Sequence, residues 1–239
     1  QGNALTRSFG RCFNSSSFSP AMRPEPIVIE PTAEHKATVI WYHGLGDKGE
    51  SWAYAIRAEL LLPNVKYICP TAPVRPISFQ GGFPMTAWYD IHGLTERSRE
   101  DIEGIATATK EAHALIDAEI AAGTPANRII VGGFSMGGAL AINVGFRYPQ
   151  KLGGIISLSG FLLRRTELPG NFNANRDTPY FFGHGTADEV VPYEWGHLTQ
   201  QTLSKFCSNV TFKQYNGMGH SSCREEMNDV KNFIAARAK

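Results

Sequence analysis

The stretch Ile129-Ile130-Val131-Gly132-Gly133-Phe134-Ser135-Met136-Gly137-Gly138-Ala139-Leu140 limits the possible folds more than any other. A short apolar run ends in a Gly-x-Ser-x-Gly turn, and a helical pattern of small residues begins at once. Strand, sharp turn and helix leave Ser135 at the apex. Such a turn strains the serine backbone and lifts its hydroxyl clear of the sheet edge. The glycines at Gly133 and Gly137 are required because a Cβ there would meet the neighbouring strand or helix. The Met136 amide opens the helix, where unpaired N–H groups favour developing negative charge. One turn thus predicts a nucleophile and half of an oxyanion hole. The competing reading, a Gly-rich helix-packing turn, is weakened by the strand before the motif and the helix after it.

Whether the nucleophile is usable depends on a base and an acid elsewhere. Tyr180 to Asp188 reads as a strand running into a loop, with Asp188 just past the strand end. Val210 to Tyr215 reads as the last strand, and Gly217-Met218-Gly219-His220 follows directly. The order Ser135, Asp188, His220 is that of α/β-hydrolases and differs from both protease orders. Each residue follows a separate strand, so one sheet edge can gather all three. Glu189 and Asp177 compete as acids, and His184 as base, but His184 precedes the acid. No His-Glu-x-x-His or clustered metal spacing appears, so neither a metal nor another cofactor is expected.

A second loop needs weighing. Ala37 to His43 reads as a buried strand, and Gly44-Leu45-Gly46-Asp47-Lys48-Gly49 follows before a helical pattern over Ser51 to Leu61. This is also a Gly-x-Gly-x-x-Gly pattern. A dinucleotide site would place an acid at the end of the next strand. That strand, Val65 to Cys69, ends in Cys69-Pro70-Thr71 without a carboxylate. The other reading makes the loop the second oxyanion donor, through the Leu45 amide, with His43 a structural strand-end residue.

The remaining elements frame a groove. Pro70 to Pro84 reads as a proline-stiffened loop with Phe79 and Phe83, and Trp88-Tyr89-Asp90 as a short strand. The irregular stretch Ser159 to Thr178, with Phe161, is a second candidate wall. Phe83, Trp88, Phe161 and Val191 are the expected substrate contacts, with core capping as the alternative. Ser98 to Glu119 reads as an amphipathic helix with a Ser98/Asp101 capping box, burying Ile102, Ile105, Ala112, Leu115 and Ile116. His113 on it is expected to be structural. Leu152 to Leu158 reads as a strand, the region from Trp195 to Phe206 as a helix, and Ser222/Glu225 as the cap of a final helix on Met227, Val230 and Ile234.

The 239 residues are 42% hydrophobic and 19% charged, enough for one large α/β domain. With 23 Lys and Arg against 22 Asp and Glu, nothing favours nucleic acid or an anionic surface. Cys12, Cys69, Cys207 and Cys223 lack paired spacing and are expected to be free thiols in a reducing, cytoplasmic setting. No apolar run approaches the ~18 residues of a membrane span. Residues 1–21, basic and acid-poor with a Ser15-Ser16-Ser17 run, form a tail: a remnant or a targeting segment. The domain is expected over residues 22–239, with Cys12 a weak acylation candidate.

Further motifs carry a resemblance. His43-Gly44-Leu45-Gly46-Asp47, Cys69-Pro70-Thr71-Ala72-Pro73-Val74-Arg75-Pro76, Asn127-Arg128-Ile129-Ile130, Gly132-Gly133-Phe134-Ser135 and Gly219-His220-Ser221-Ser222 together resemble acyl-protein thioesterases, from about Lys36 to Ala236. The resemblance implies an α/β-hydrolase fold: a mostly parallel sheet flanked by helices, one domain without a large separate lid. It implies a Ser135, Asp188, His220 triad with Leu45 and Met136 as oxyanion donors. The substrates it implies are S-acylated proteins, or lysophospholipids and small esters, handled by a cytosolic monomer or weak homodimer with at most transient membrane contact. In two places the sequence departs from the best-known members. Met136 replaces a glutamine after the serine, and Gly160-Phe161 replaces a Cys-Trp pair after Leu158-Ser159. Both leave chain length and leaving group open.

Overall fold

The computed structural model describes residues 24–95, 98–170, 172 and 174–239. Cys12 and the tail of residues 1–21 lie outside the described residues. Strands β2 (Ala37–Tyr42), β3 (Val65–Cys69), β6 (Ile129–Phe134), β7 (Gly154–Leu158), β8 (Tyr180–Gly185) and β9 (Val210–Tyr215) are all parallel, and β1 (Ile27–Ile29) adds antiparallel to β3. The order across the sheet is β1-β3-β2-β6-β7-β8-β9. Every residue of β2, β7 and β8 is buried, as expected of parallel strands covered on both faces.

The period-2 alternation of each strand feeds two cores. Ile40, Tyr42, Ile129 and Val131 face helices α2 (Ile102–Ala121), α3 (Met136–Arg147) and α4 (Tyr193–Leu203). Val39, Trp41 and Ile130 face α1 (Gly49–Ala55) and α5 (Arg224–Ala235). From β2 the chain crosses outward to β3, then returns past β2 to β6. The topological switch therefore falls between the ends of β2 and β6, where open α/β sheets form their crevice.

Several elements differ from expectation. Between Pro70 and Pro84 the chain is not all loop. Val74–Ile77 (β4) and Phe83–Thr86 (β5) form an antiparallel hairpin, with Pro76 opposite Pro84. Prolines are tolerated because each strand of a lone pair has an open edge. Trp88-Tyr89-Asp90 is no strand: the Trp88 indole donates to the His43 carbonyl at 2.8 Å, and Asp90 accepts from the Ser78 amide. The cap of α2 is Asp101, not Ser98. Asp101 accepts from the Gly104 amide at 2.9 Å and also from the Asp90 amide at 2.8 Å, so a tertiary partner fixes the start, and Ile102 is left exposed. The cap of α5 is Cys223 rather than Ser222, its sulfur accepting from the Glu226 amide. The expected helix to Leu61 ends as a π-helical turn, Ile56–Leu60, which buries both Ile56 and Leu60.

Glu226, in the first turn of α5, is fully buried against Gly183 of β8, and among the described residues neither carboxylate oxygen has a hydrogen-bond partner. Burial, with Asp229 adding to it, pushes this carboxyl from 4.5 up to about 8. Between those values the folded protein holds a proton that the unfolded chain has released. The stability that this group contributes is therefore fully present below pH 4.5 and is lost as pH rises through about 8. Glu226→Gln is expected to stabilise the protein by about 5 kcal/mol at pH 9 and to change little at pH 4. Urea unfolding at the two pH values checks this, and an equal effect at both would contradict it.

Candidate active site

Ser135 sits between β6 and α3 with φ 55° and ψ −121°. Two backbone bonds hold this strained conformation. The Ser135 amide donates to the Leu158 carbonyl at 2.8 Å, extending the β6–β7 ladder, and its carbonyl accepts from the Ala139 amide at 2.9 Å, the first bond of α3. Gly133 and Gly137 touch backbone to backbone: a Cβ on Gly133 would lie 2.5 Å from the Gly137 carbonyl carbon. The hydroxyl is thereby fixed at the sheet rim.

Asp188 follows β8, and His220 lies in the turn after β9. The two turns are sewn together: the Ala187 amide donates to the Met218 carbonyl at 3.0 Å, and the Gly217 amide to the Thr186 hydroxyl at 2.9 Å. His220 Nε2 lies 2.9 Å from Ser135 Oγ, and His220 Nδ1 lies 2.8 Å from Asp188 Oδ2. The imidazole rests on the Phe134 ring, with centroids 4.8 Å apart. Asp188 Oδ1 accepts from the Val190 and Val191 amides at 3.0 and 2.9 Å. Burial alone would push the Asp188 carboxyl up. Bonds from His220 and Val191 outweigh it and hold the group ionised, below its usual range. The buried Ser159 hydroxyl, outside hydrogen-bonding geometry, is the weakest of these influences.

The loop after β2 reaches the same rim. A Cβ on Gly44 would stand 3.4 Å from the Ser135 Cβ, so the Gly44-Leu45 backbone runs beside the nucleophile. The loop is clamped from the hairpin: the Gly46 amide, at φ 78°, donates to the Thr86 carbonyl at 2.8 Å, and the Thr86 hydroxyl donates to the Asp47 carbonyl at 2.6 Å. His43 is fully buried; its Nδ1 donates to the Gly44 carbonyl at 2.6 Å and its Nε2 accepts from the Ala72 amide at 3.0 Å. Burial lowers its basicity, which suits a neutral ring bracing the loop. The Met136 side chain is buried in the core, so only its backbone faces the rim.

The four expected substrate contacts separate. Phe83 is exposed on the hairpin, on the same face of β5 as Met85, which borders Gly46. Phe161 is partly buried, edge-on to Trp195 at 5.9 Å. Trp88 and Val191 are instead buried, at 4% and 5% exposure. Trp88 packs on Tyr42 and His43 and supports the loop from behind; Val191 serves the site through its backbone. Sequence reasoning gave Thr86 no role, and nothing in its local pattern signals one. His184 stood out only as a rival base, and it is buried beside Asp188. Among the described residues no group of three or more His, Cys, Asp or Glu is arranged to hold a metal, and no helix is long and apolar enough to cross a membrane.

A serine hydroxyl, an imidazole and a carboxylate in line, beside a glycine loop at a switch point, have the geometry that acyl transfer requires. The sequence profile of the phospholipase/carboxylesterase family matches residues 23–238. This chain belongs to that family. Within the phospholipase/carboxylesterase family, the chain is 43% identical to acyl-protein thioesterase 1 of Neurospora crassa over 230 residues, covering 92% of this chain and 94% of that protein. It is 40% identical to acyl-protein thioesterase 1 of Yarrowia lipolytica, covering 91% and 100% of the two. The crystal structure of acyl-protein thioesterase 2 of Zea mays superposes with a TM-score of 0.82 at 37% identity, covering 90% of this chain and 99% of that one. The α/β-hydrolase fold expected of this family is thus the fold present, with a mostly parallel sheet between two helical layers.

Proposed function

We propose that this protein is a serine hydrolase that cleaves long-chain acyl thioesters from cysteines of S-acylated proteins. The observation that carries the reading is the in-line contact of Ser135 Oγ, His220 and Asp188 at 2.9 and 2.8 Å; the thioesterase relatives at 40–43% identity support the substrate class. As Ser135 Oγ attacks the thioester carbonyl, His220 Nε2 takes its proton. Asp188 fixes the tautomer and stabilises the imidazolium. The tetrahedral oxyanion is held by the Leu45 and Met136 amides, each worth about 100- to 1000-fold in rate. The intermediate collapses, the C–S bond breaks, and His220 returns the proton to the leaving cysteine sulfur. A water, deprotonated by His220, then attacks the acyl-enzyme, releasing the fatty acid and restoring the Ser135 hydroxyl.

Phe83, Met85 and Phe161 border the groove in this reading, with Trp88 and Val191 in support. The enzyme works in the cytoplasm, where Cys69, Cys207 and Cys223 stay free thiols, as a monomer or weak homodimer, and meets acylated substrates through transient membrane contact. Two or three methylenes seated in a groove, at ~0.8 kcal/mol each, already favour a long chain more than about tenfold. After active sites are counted with a fluorophosphonate, kcat/KM for a palmitoyl thioester is expected to exceed that for a short p-nitrophenyl ester by at least that factor. Negligible thioester turnover beside brisk ester hydrolysis would replace this reading with a carboxylesterase or lysophospholipase.

A further inference from the structure

We propose that His184 is a positioning residue for Asp188: a neutral imidazole that donates to the Val191 carbonyl and so clamps the loop whose amides hold the carboxylate. This rests on the hydrolase reading above. His184 is the penultimate residue of β8 and is 1% exposed. Its Nε2 lies 2.8 Å from the Val191 carbonyl and 3.5 Å from Asp188 Oδ2. A carbonyl can only accept, so Nε2 carries the hydrogen.

The contacts close a ring. The carbonyl of Val191 is held by His184, and the amide of Val191 holds Asp188 Oδ1 at 2.9 Å. Release of the imidazole would free Val191 and, with it, one of the bonds that orient the carboxylate toward His220. Asp188 Oδ2 therefore lies between two imidazole nitrogens, bonded to His220 Nδ1 at 2.8 Å and 3.5 Å from His184 Nε2.

Burial keeps the His184 imidazole neutral. The groups facing His184 are Asp188, His220 and Glu194, with Tyr193 edge-on at 6.1 Å. Burial lowers the basicity of His184 most, and His220 lowers it further; the Val191 bond, Asp188 and Glu194 oppose this without prevailing. A cationic His184 would compete with the His220 imidazolium for Asp188, whereas a neutral one clamps the loop without that competition. Helix α4 then locks the ring: a Cβ on Gly196 would stand 2.3 Å from His184 Nδ1, so only glycine leaves room for it.

The test compares His184→Leu and His184→Gln with wild type, with kcat expressed per fluorophosphonate-titrated site so that misfolded protein does not count. Loss of a hydrogen bond serving a charged group predicts a drop in kcat of about ten- to a hundredfold for His184→Leu, with KM within about twofold. His184→Gln keeps an N–H donor and is expected to recover most of that loss. Wild-type kcat per site in His184→Leu, or a glutamine no better than leucine, overturns the inference. A measurement on the wild type stands independently of how the variants fold. Imidazole ¹⁵N shifts of His184 are expected to show a neutral Nε2–H ring from pH 6 to 9, and an Nδ1–H or doubly protonated ring would overturn it. Ser135→Ala runs alongside: activity surviving there removes Ser135 as nucleophile, and with it the triad that Asp188 would serve, while the ¹⁵N result still decides the bond from His184.

Discussion

Ser135→Ala is expected to lower kcat for thioester and ester alike by about 10⁴- to 10⁶-fold. The substitution removes one atom, the oxygen 2.9 Å from His220 Nε2, and leaves the strained turn, the Leu45 loop and the start of α3 in place. What survives is binding and polarisation of the carbonyl by two amides, which in related chemistry still leaves about 10³-fold over water. The three residues act as a unit, so adding His220→Ala to Ser135→Ala should cost little more. Asp188→Asn should cost about 10⁴-fold, because an amide no longer fixes the imidazole tautomer. Fluorophosphonate labelling should vanish in Ser135→Ala and persist, slowed, in Asp188→Asn. Residual activity near that of the wild type, or continued labelling, would mean that another residue is the nucleophile.

Legibility in the sequence tracked how local each determinant is. Strands β6, β8 and β9 announce themselves as apolar or alternating runs bounded by turns, and the three polar residues past their ends can be ordered without a structure. Strand β1 could not be found: three residues, exposed on one side, owe their conformation to β3. The hairpin was hidden by its own prolines, which are allowed only because its two strands pair with nothing else. Asp101 outcompeted Ser98 as a cap because Asp90, eleven residues upstream, donates to it. The Gly44 to Gly49 pattern shows why a motif underdetermines chemistry. Gly46 is needed for φ 78°, and Gly49 for an approach in which a Cβ would come within 2.2 Å of the Cys69 carbonyl. A dinucleotide loop makes the same demands, a tight turn and close helix–strand packing. Hydrophobicity marks Trp88 and Val191 as groove residues but does not distinguish a wall from the support behind it, and both are buried. His184 resisted interpretation for another reason: its partner is a backbone carbonyl, which leaves no mark in sequence.

Gly137→Ala is expected to damage fold and site together. A Cβ there would lie 2.1 Å from the Tyr42 carbonyl oxygen and 2.5 Å from that of His43. Both are main-chain atoms of β2 and its exit, and neither can swing aside as a side chain would. The first turn of α3 would have to lift off the sheet, away from a core in which Met136, Ala139 and Leu140 are buried to 1% exposure or less. Overpacking against backbone is expected to cost about 3 kcal/mol or more, a drop in Tm of roughly 6–12 °C for a chain of this size. The same displacement moves the Met136 amide relative to the Leu45 loop, because the loop leaves from the end of β2 while Met136 opens α3. The folded fraction of Gly137→Ala should therefore react with a fluorophosphonate more slowly than wild type, by about tenfold or more for an oxyanion donor drawn out of range. Calorimetry and labelling rate, measured on one preparation, separate the two effects. An unchanged Tm would show that the turn tolerates a methyl group and that the close approach of α3 to β2 does not hold the nucleophile in place.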